Sequence, residues 1–167
     1  GMLHLVAASM LSQPPLYCMD LPTQNGTANA NPIQLFTCFN PAPAQQIWSI
    51  GNTSALATFI RSGEGASKCL DATWGNGTGM LPPGPGSAVQ IWDCADAPGG
   101  GVLEHQQWSI DKKHFIRLVS NPVLCIDLPN GDVKNTAQLQ LAYCGDVDVP
   151  PAATPGHTYH QRCIARA

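Results

Sequence analysis

One phrase is written three times along this chain: a Cys-x-Asp, then a Gln followed four residues later by Cys, then a Gln-x-Trp or its remnant. The first copy reads Cys18-Met19-Asp20, Gln34-Leu35-Phe36-Thr37-Cys38 and Gln46-Ile47-Trp48. The second reads Cys69-Leu70-Asp71, Gln90-Ile91-Trp92-Asp93-Cys94 and Gln106-Gln107-Trp108, and the third Cys125-Ile126-Asp127, Gln140-Leu141-Ala142-Tyr143-Cys144 and Gln161-Arg162-Cys163. A unit of roughly fifty residues is too small to bury a core by itself, so three of them must share one. The 167 residues are expected to form a single domain with repeats at approximately 1–52, 53–112 and 113–167.

Within each unit, short apolar or alternating runs are separated by turn residues at strand-like intervals. They are Leu3 to Val6, Leu16 to Leu21, Ile33 to Cys38, Ile47 to Ile50, Thr58 to Arg61, Val89 to Trp92, Trp108 to Ile110, Phe115 to Val119, Val123 to Leu128 and Leu139 to Tyr143. No window of a dozen residues keeps a helical apolar period without a Gly or Pro breaking it, so helix should amount to single turns. With 16 Gly, 15 Pro and 11% charged residues, the composition suits short strands joined by long turns. Three units of about four strands can close on one another without exposed sheet edges. The expected class is all-β, a β-trefoil with pseudo-threefold symmetry.

A net charge of −3 and eight scattered Lys and Arg offer no basic stripe, which excludes nucleic acid and anionic membrane surfaces as partners and leaves neutral ligands. No apolar run approaches the roughly 18 residues of a membrane span, so membrane insertion is not expected. Met2 to Leu11 lacks the basic flank and small-residue cleavage site of a signal peptide. Gly1 ahead of Met2 reads as an expression remnant, so a leader or attachment to further domains in a longer protein stays open.

Six of the seven cysteines fall at matching places in the repeat, and pairing within each repeat is the simplest of about fifteen connectivities. That gives Cys18–Cys38, Cys69–Cys94 and Cys125–Cys144, each closing a loop worth about 3 kcal/mol. Such bridges imply an oxidising compartment and a secreted or extracellular protein. The sequons at Asn25, Asn52 and Asn76 read either as N-glycan acceptors or as turn sequences that happen to contain Thr or Ser.

The three phrases together, spanning the whole chain, resemble the ricin B-type lectins, the β-trefoil carbohydrate-binding modules. A sugar presents vicinal hydroxyls and one face made mostly of C–H groups, so a site needs a carboxylate that accepts from hydroxyls and an aromatic platform. Strand alternation puts the Gln of Gln-Leu-Phe or Gln-Ile-Trp on the same side as the ring. The resemblance implies a first carbohydrate site at Asp20, Gln34, Phe36, Gln45 and Gln46, and a second at Asp71, Gln90, Trp92, His105 and Gln106 with Trp74 as an extra wall. The family commonly carries Asn where this chain has Gln45 and His105. Gln46 and Gln106 are expected to buttress the aspartate as much as to touch sugar. Trp48 and Trp108 are assigned to the shared core and not to the sites.

The third unit keeps Asp127, Gln140 and Gln161, with His160 before the glutamine, but has Ala142 at the platform position. Tyr143, one residue along, should face the other side of the strand, so this site is expected not to bind. Each aspartate also has a structural reading, as a cap accepting backbone N–H bonds after a strand. Cys163 replaces the core tryptophan of this unit and reads as a buried small hydrophobe. His157, His160 and Cys163 are too few for a zinc site, and no metal or other cofactor is expected.

A glycosidase needs two carboxylates flanking one bond, and each pocket here contains one. The expectation is therefore a non-catalytic lectin for galactose- or N-acetylgalactosamine-type glycans, as the resemblance implies. Two alternatives remain: the targeting module of a larger glycan-degrading enzyme, binding xylan or arabinogalactan, and a β-trefoil protease inhibitor that binds no sugar.

Overall fold

The computed structural model describes residues 4–7, 16–51, 57–74, 82–95, 103–112, 115–145 and 163–166. The described strands are β1 (His4–Ala7), β2 (Tyr17–Asp20), β3 (Asn31–Pro32), β4 (Gln34–Thr37), β5 (Trp48–Ile50), β6 (Ile60–Ser62), β7 (Lys68–Ala72), β8 (Val89–Asp93), β9 (Trp108–Ile110), β10 (Ile116–Leu118), β11 (Leu124–Asp127), β12 (Gln140–Tyr143) and β13 (Cys163–Arg166). Helix among the described residues is confined to single 3-10 turns at Thr23–Asn25, Ala44–Gln46, Glu104–Gln106 and Pro129–Gly131. None is long and apolar enough to cross a membrane.

Pairing follows the repeat. The hairpins β2–β4, β7–β8 and β11–β12 sit at equivalent places in the three units. β5 pairs with β6 and β9 with β10, joining the end of one unit to the start of the next, and β1 pairs with β13, joining the first unit to the last. The pseudo-threefold axis is marked by a closed ring of backbone bonds: Ile33 N–H donates to Val89 O (2.8 Å), Val89 N–H to Leu139 O (3.0 Å), and Leu139 N–H to Ile33 O (2.9 Å). No single unit can make this ring, so its three bonds form only when the units come together. This is the β-trefoil expected from the sequence.

The core is likewise shared. Met19, Leu70 and Ile126, with Leu35, Ile91 and Leu141, are buried from equivalent positions of the three units, and Trp48 and Trp108 fill the centre at 0% exposure. Both indoles are also hydrogen-bonded: Trp48 Nε1–H donates to Met19 O (2.9 Å) and Trp108 Nε1–H to Leu70 O (3.0 Å). A buried indole N–H needs such a partner. Each accepting carbonyl belongs to the residue just before an aspartate of the repeat, so the core tryptophan fixes the strand that carries the site. Cys18–Cys38, Cys69–Cys94 and Cys125–Cys144 are the three disulfides, as expected.

One turn position carries strain in two units. Ala30, Gly86 and Thr136 are equivalent, since their N–H groups donate to Ile91 O, Leu141 O and Leu35 O in turn, and all three have positive φ (66°, 85° and 66°). Only Gly86 adopts that region freely; for a β-branched residue it is unfavourable by about 1–2 kcal/mol. Thr136 is exposed, so Thr136→Gly removes this strain without losing buried contacts. After about 0.5–1 kcal/mol is returned through glycine's freedom in the unfolded chain, a net gain below about 1 kcal/mol remains. Thermal melting should rise by roughly 2 to 4 °C per kcal/mol gained. A lower melting temperature would show that the Thr136 side chain contributes more than its backbone loses.

Candidate functional site

The hairpins place the three aspartates identically. Asp20 lies opposite Gln34, Asp71 opposite Gln90, and Asp127 opposite Gln140. Next along each hairpin on the same face, Phe36 pairs with Cys18, Trp92 with Cys69 and Ala142 with Cys125. The carboxylate, the glutamine and the ring position are thus neighbours on one surface in every unit, because a pleated strand returns to the same face every second residue.

In the first unit Gln34 Nε2 donates to Asp20 Oδ1 (2.8 Å) and Gln46 Nε2 to Asp20 Oδ2 (3.1 Å). In the second, Gln90 Nε2 donates to Asp71 Oδ1 (2.9 Å) and Gln106 Nε2 to Asp71 Oδ2 (3.0 Å). Each carboxylate oxygen therefore accepts one amide hydrogen and keeps a second lone pair for another donor. Burial is the larger influence on both carboxyls and pushes them above the usual carboxylate range, while the glutamine bonds pull the other way.

Gln46 and Gln106 stand behind the carboxylates. Both are fully buried. Gln46 Nε2 also donates to Thr37 O (3.1 Å) and its Oε1 accepts from Phe39 N–H (3.0 Å). Gln106 repeats this with Asp93 O (3.0 Å) and Ala95 N–H (2.9 Å). With both amide hydrogens and the oxygen occupied inside the protein, these two residues clamp the strand end to the aspartate and do not face outward. The 3-10 turns at Ala44–Gln46 and Glu104–Gln106 deliver them, along with Gln45 and His105, just ahead of the core tryptophans.

The surroundings of the two carboxylates differ. In the second unit Trp92 (39% exposed) and Trp74 (41%) both present rings to solvent. His105 lies between Trp74 and the carboxylate: its ring meets Trp74 edge-on at 5.3 Å, and its Nε2 is 3.6 Å from Asp71 Oδ2, beyond hydrogen-bond length. Both His105 ring nitrogens are shielded from solvent and have no hydrogen-bond partner among the described residues. In the first unit Gln45 is half-buried. Phe36 stacks on Phe39, with centroids 5.9 Å apart and planes 21° apart. Phe39 was not singled out from the sequence. Its only signal is its place directly after Cys38, where the second and third units have Ala95 and Gly145.

In the third unit Asp127 is buried and Ala142 holds the platform position, so no ring stands there, while Tyr143 packs against the core. Burial raises its carboxyl to about 7, against weaker opposing bonds from the Leu128 N–H and the Gln140 side chain. His160 and Gln161 lie outside the described residues, as do His157, Asn52, Asn76 and the side chain of Cys163. Among the described residues no cluster of metal-ligating side chains occurs.

No protein-family model and no curated protein sequence matches the chain. Solved structures do. A mosquitocidal holotoxin aligns at a TM-score of 0.65 with 15% identity over 88% of this chain, which spans only 16% of the toxin. A designed three-fold symmetric protein, ThreeFoil, aligns at 0.63 with 15% identity, covering 86% of this chain and 90% of the design. The C-terminal half of an earthworm R-type lectin, solved in complex with GalNAc, aligns at 0.54 with 15% identity, covering 88% of this chain and 92% of that one. At these identities the likeness is one of fold: the chain has a β-trefoil architecture.

Proposed function

We propose that the chain is a single non-catalytic carbohydrate-binding domain spanning residues 1–167, taking galactose- or N-acetylgalactosamine-type glycans at two shallow sites. One observation carries this reading. In two of three units, a carboxylate is held by two glutamine amides with a lone pair free on each oxygen, on the same sheet face as an aromatic ring, half-buried Phe36 in the first unit and exposed Trp92 in the second. A pair of vicinal hydroxyls fits those lone pairs, and the C–H face of the same sugar fits the ring. In the second unit a hydroxyl at Asp71 also supplies the unpartnered His105 with a hydrogen-bond partner. The galactose preference is supported by the fold shared with a lectin solved with GalNAc. Among the described residues each constellation contains one carboxylate, where hydrolysis of a glycosidic bond uses two, which supports binding without hydrolysis.

Three disulfides support a secreted or extracellular setting. The share of the holotoxin that this chain spans supports a further reading, in which the domain directs a larger protein to glycans. Calorimetric titration with methyl β-galactoside tests the core of the proposal. The expected stoichiometry is near two, with a Kd of roughly 0.1 to 1 mM per site and avidity on dense glycans. A value near three would restore the third unit as a site. No heat and no retention on a galactoside resin would overturn the galactose reading.

A further inference from the structure

We infer that the first site is an extended one, in which Phe39 and Leu16 carry the second sugar residue of a glycan chain whose terminal sugar sits on Asp20 and Phe36. The inference rests on the carbohydrate-binding reading and goes beyond it by assigning the two units different ligands. Leu16, Ser67 and Val123 are equivalent, since their carbonyls accept from Cys38, Cys94 and Cys144 N–H, each at 2.8 Å. The residues that follow those cysteines are Phe39, Ala95 and Gly145. Only the first unit therefore has large apolar side chains on both flanks of its platform, and both are exposed, Leu16 at 47% and Phe39 at 48%. Single exposed apolar side chains are ordinary, but two of them flanking one platform enlarge the apolar surface that a ligand can cover.

The geometry selects a sugar chain as occupant. Phe36 and Phe39 are near-parallel and offset, so they form a stepped apolar surface longer than one pyranose ring, and their centroid separation of 5.9 Å is comparable to the distance between consecutive rings of a glycan. Phe36 stands beside the Asp20 carboxylate, since Cys18–Phe36 and Asp20–Gln34 are successive same-face pairs of one hairpin. Phe39 is also fixed at its backbone, where its N–H donates to Gln46 Oε1, so the second platform is held by the same glutamine that holds the carboxylate. The second unit is built the other way: its equivalent flanking positions hold Ser67 and Ala95, and an aromatic wall is formed instead by Trp74 against His105.

The test isolates the first site in the Trp92→Ala background and compares methyl β-galactoside with lactose, by calorimetry, with and without Phe39→Ala. The expected result is tighter binding of lactose than of the monosaccharide, with Phe39→Ala weakening lactose roughly two- to tenfold and leaving the monosaccharide unchanged. Equal loss for both sugars would make Phe39 part of the first subsite and overturn the inference, as would no loss for either. Monosaccharide binding without any preference for lactose would refute the extended site alone. Failure of both sugars to bind the unmutated protein would refute the carbohydrate reading with it.

Discussion

Trp108→Ala is expected to lower the unfolding free energy by about 3 to 5 kcal/mol, while Trp92→Ala should leave it almost unchanged and abolish binding at the second site. The two tryptophans belong to the same unit, and burial separates them: Trp108 is fully buried and Trp92 is 39% exposed. Removing Trp108 opens a cavity at the centre of the shared core and leaves Leu70 O without the indole N–H it accepts at 3.0 Å. At roughly 2 to 4 °C per kcal/mol, melting should fall by on the order of 10 °C. Removing Trp92 takes away only a ring that solvent already reaches.

The readout that discriminates is the pair of measurements on Trp92→Ala. Trp108→Ala is expected to weaken binding as well, since Leu70 precedes Asp71 and the strand loses its anchor, so its binding loss alone carries no information. If Trp92→Ala melts as low as Trp108→Ala, the ring supports the fold and is not a platform. If it melts normally and the protein still binds two equivalents of galactoside, the second site lies elsewhere.

How far these roles were legible from sequence depends on what each residue repeats. The aspartates, the Gln-x-Trp glutamines and the core tryptophans recur at fixed offsets, and that recurrence pointed to the trefoil, the pairing of cysteines and the shared core. β7 shows the strength of this signal. Lys68–Ala72 contains only two adjacent strongly apolar residues between Lys68 and Asp71, so it is absent from the apolar runs, yet its Cys-Leu-Asp matches Cys-Met-Asp and Cys-Ile-Asp and takes the same place in the hairpin. Features that do not repeat were illegible for the same reason. Phe39 and Leu16 flank one unit only, and whether Gln45 or His105 approaches its aspartate depends on side-chain placement that spacing does not encode. The positive φ of Ala30 and Thr136 was hidden too, because only Gly86 among the three equivalents has the residue type that advertises it.

The largest change with pH is expected at Asp127, the aspartate without a platform. Its carboxyl is held near 7 by burial, against an ordinary value near 3.8, so the folded protein binds that proton more tightly than the unfolded chain does. Below about pH 4 both states are protonated and the side chain weakens nothing. As pH rises from about 4 to 7 the unfolded chain releases its proton first, and stability falls. Above about pH 7 the loss is complete, approaching roughly 4 kcal/mol as an upper bound from the gap between the two values. Asp127→Asn keeps the shape, still accepts from the Leu128 N–H, and cannot acquire the charge. The variant should match the parent at pH 4 and become progressively more stable than it toward pH 8. Asp20 and Asp71 are shifted in the same direction and remain in both proteins, so the comparison must be the difference between the two denaturation curves at each pH. A difference that does not change with pH would show that Asp127 titrates as an ordinary carboxylate. Galactoside stoichiometry provides the second control: it should be the same for parent and variant, because Asp127 has Ala142 and not a ring at its platform position and belongs to neither proposed site.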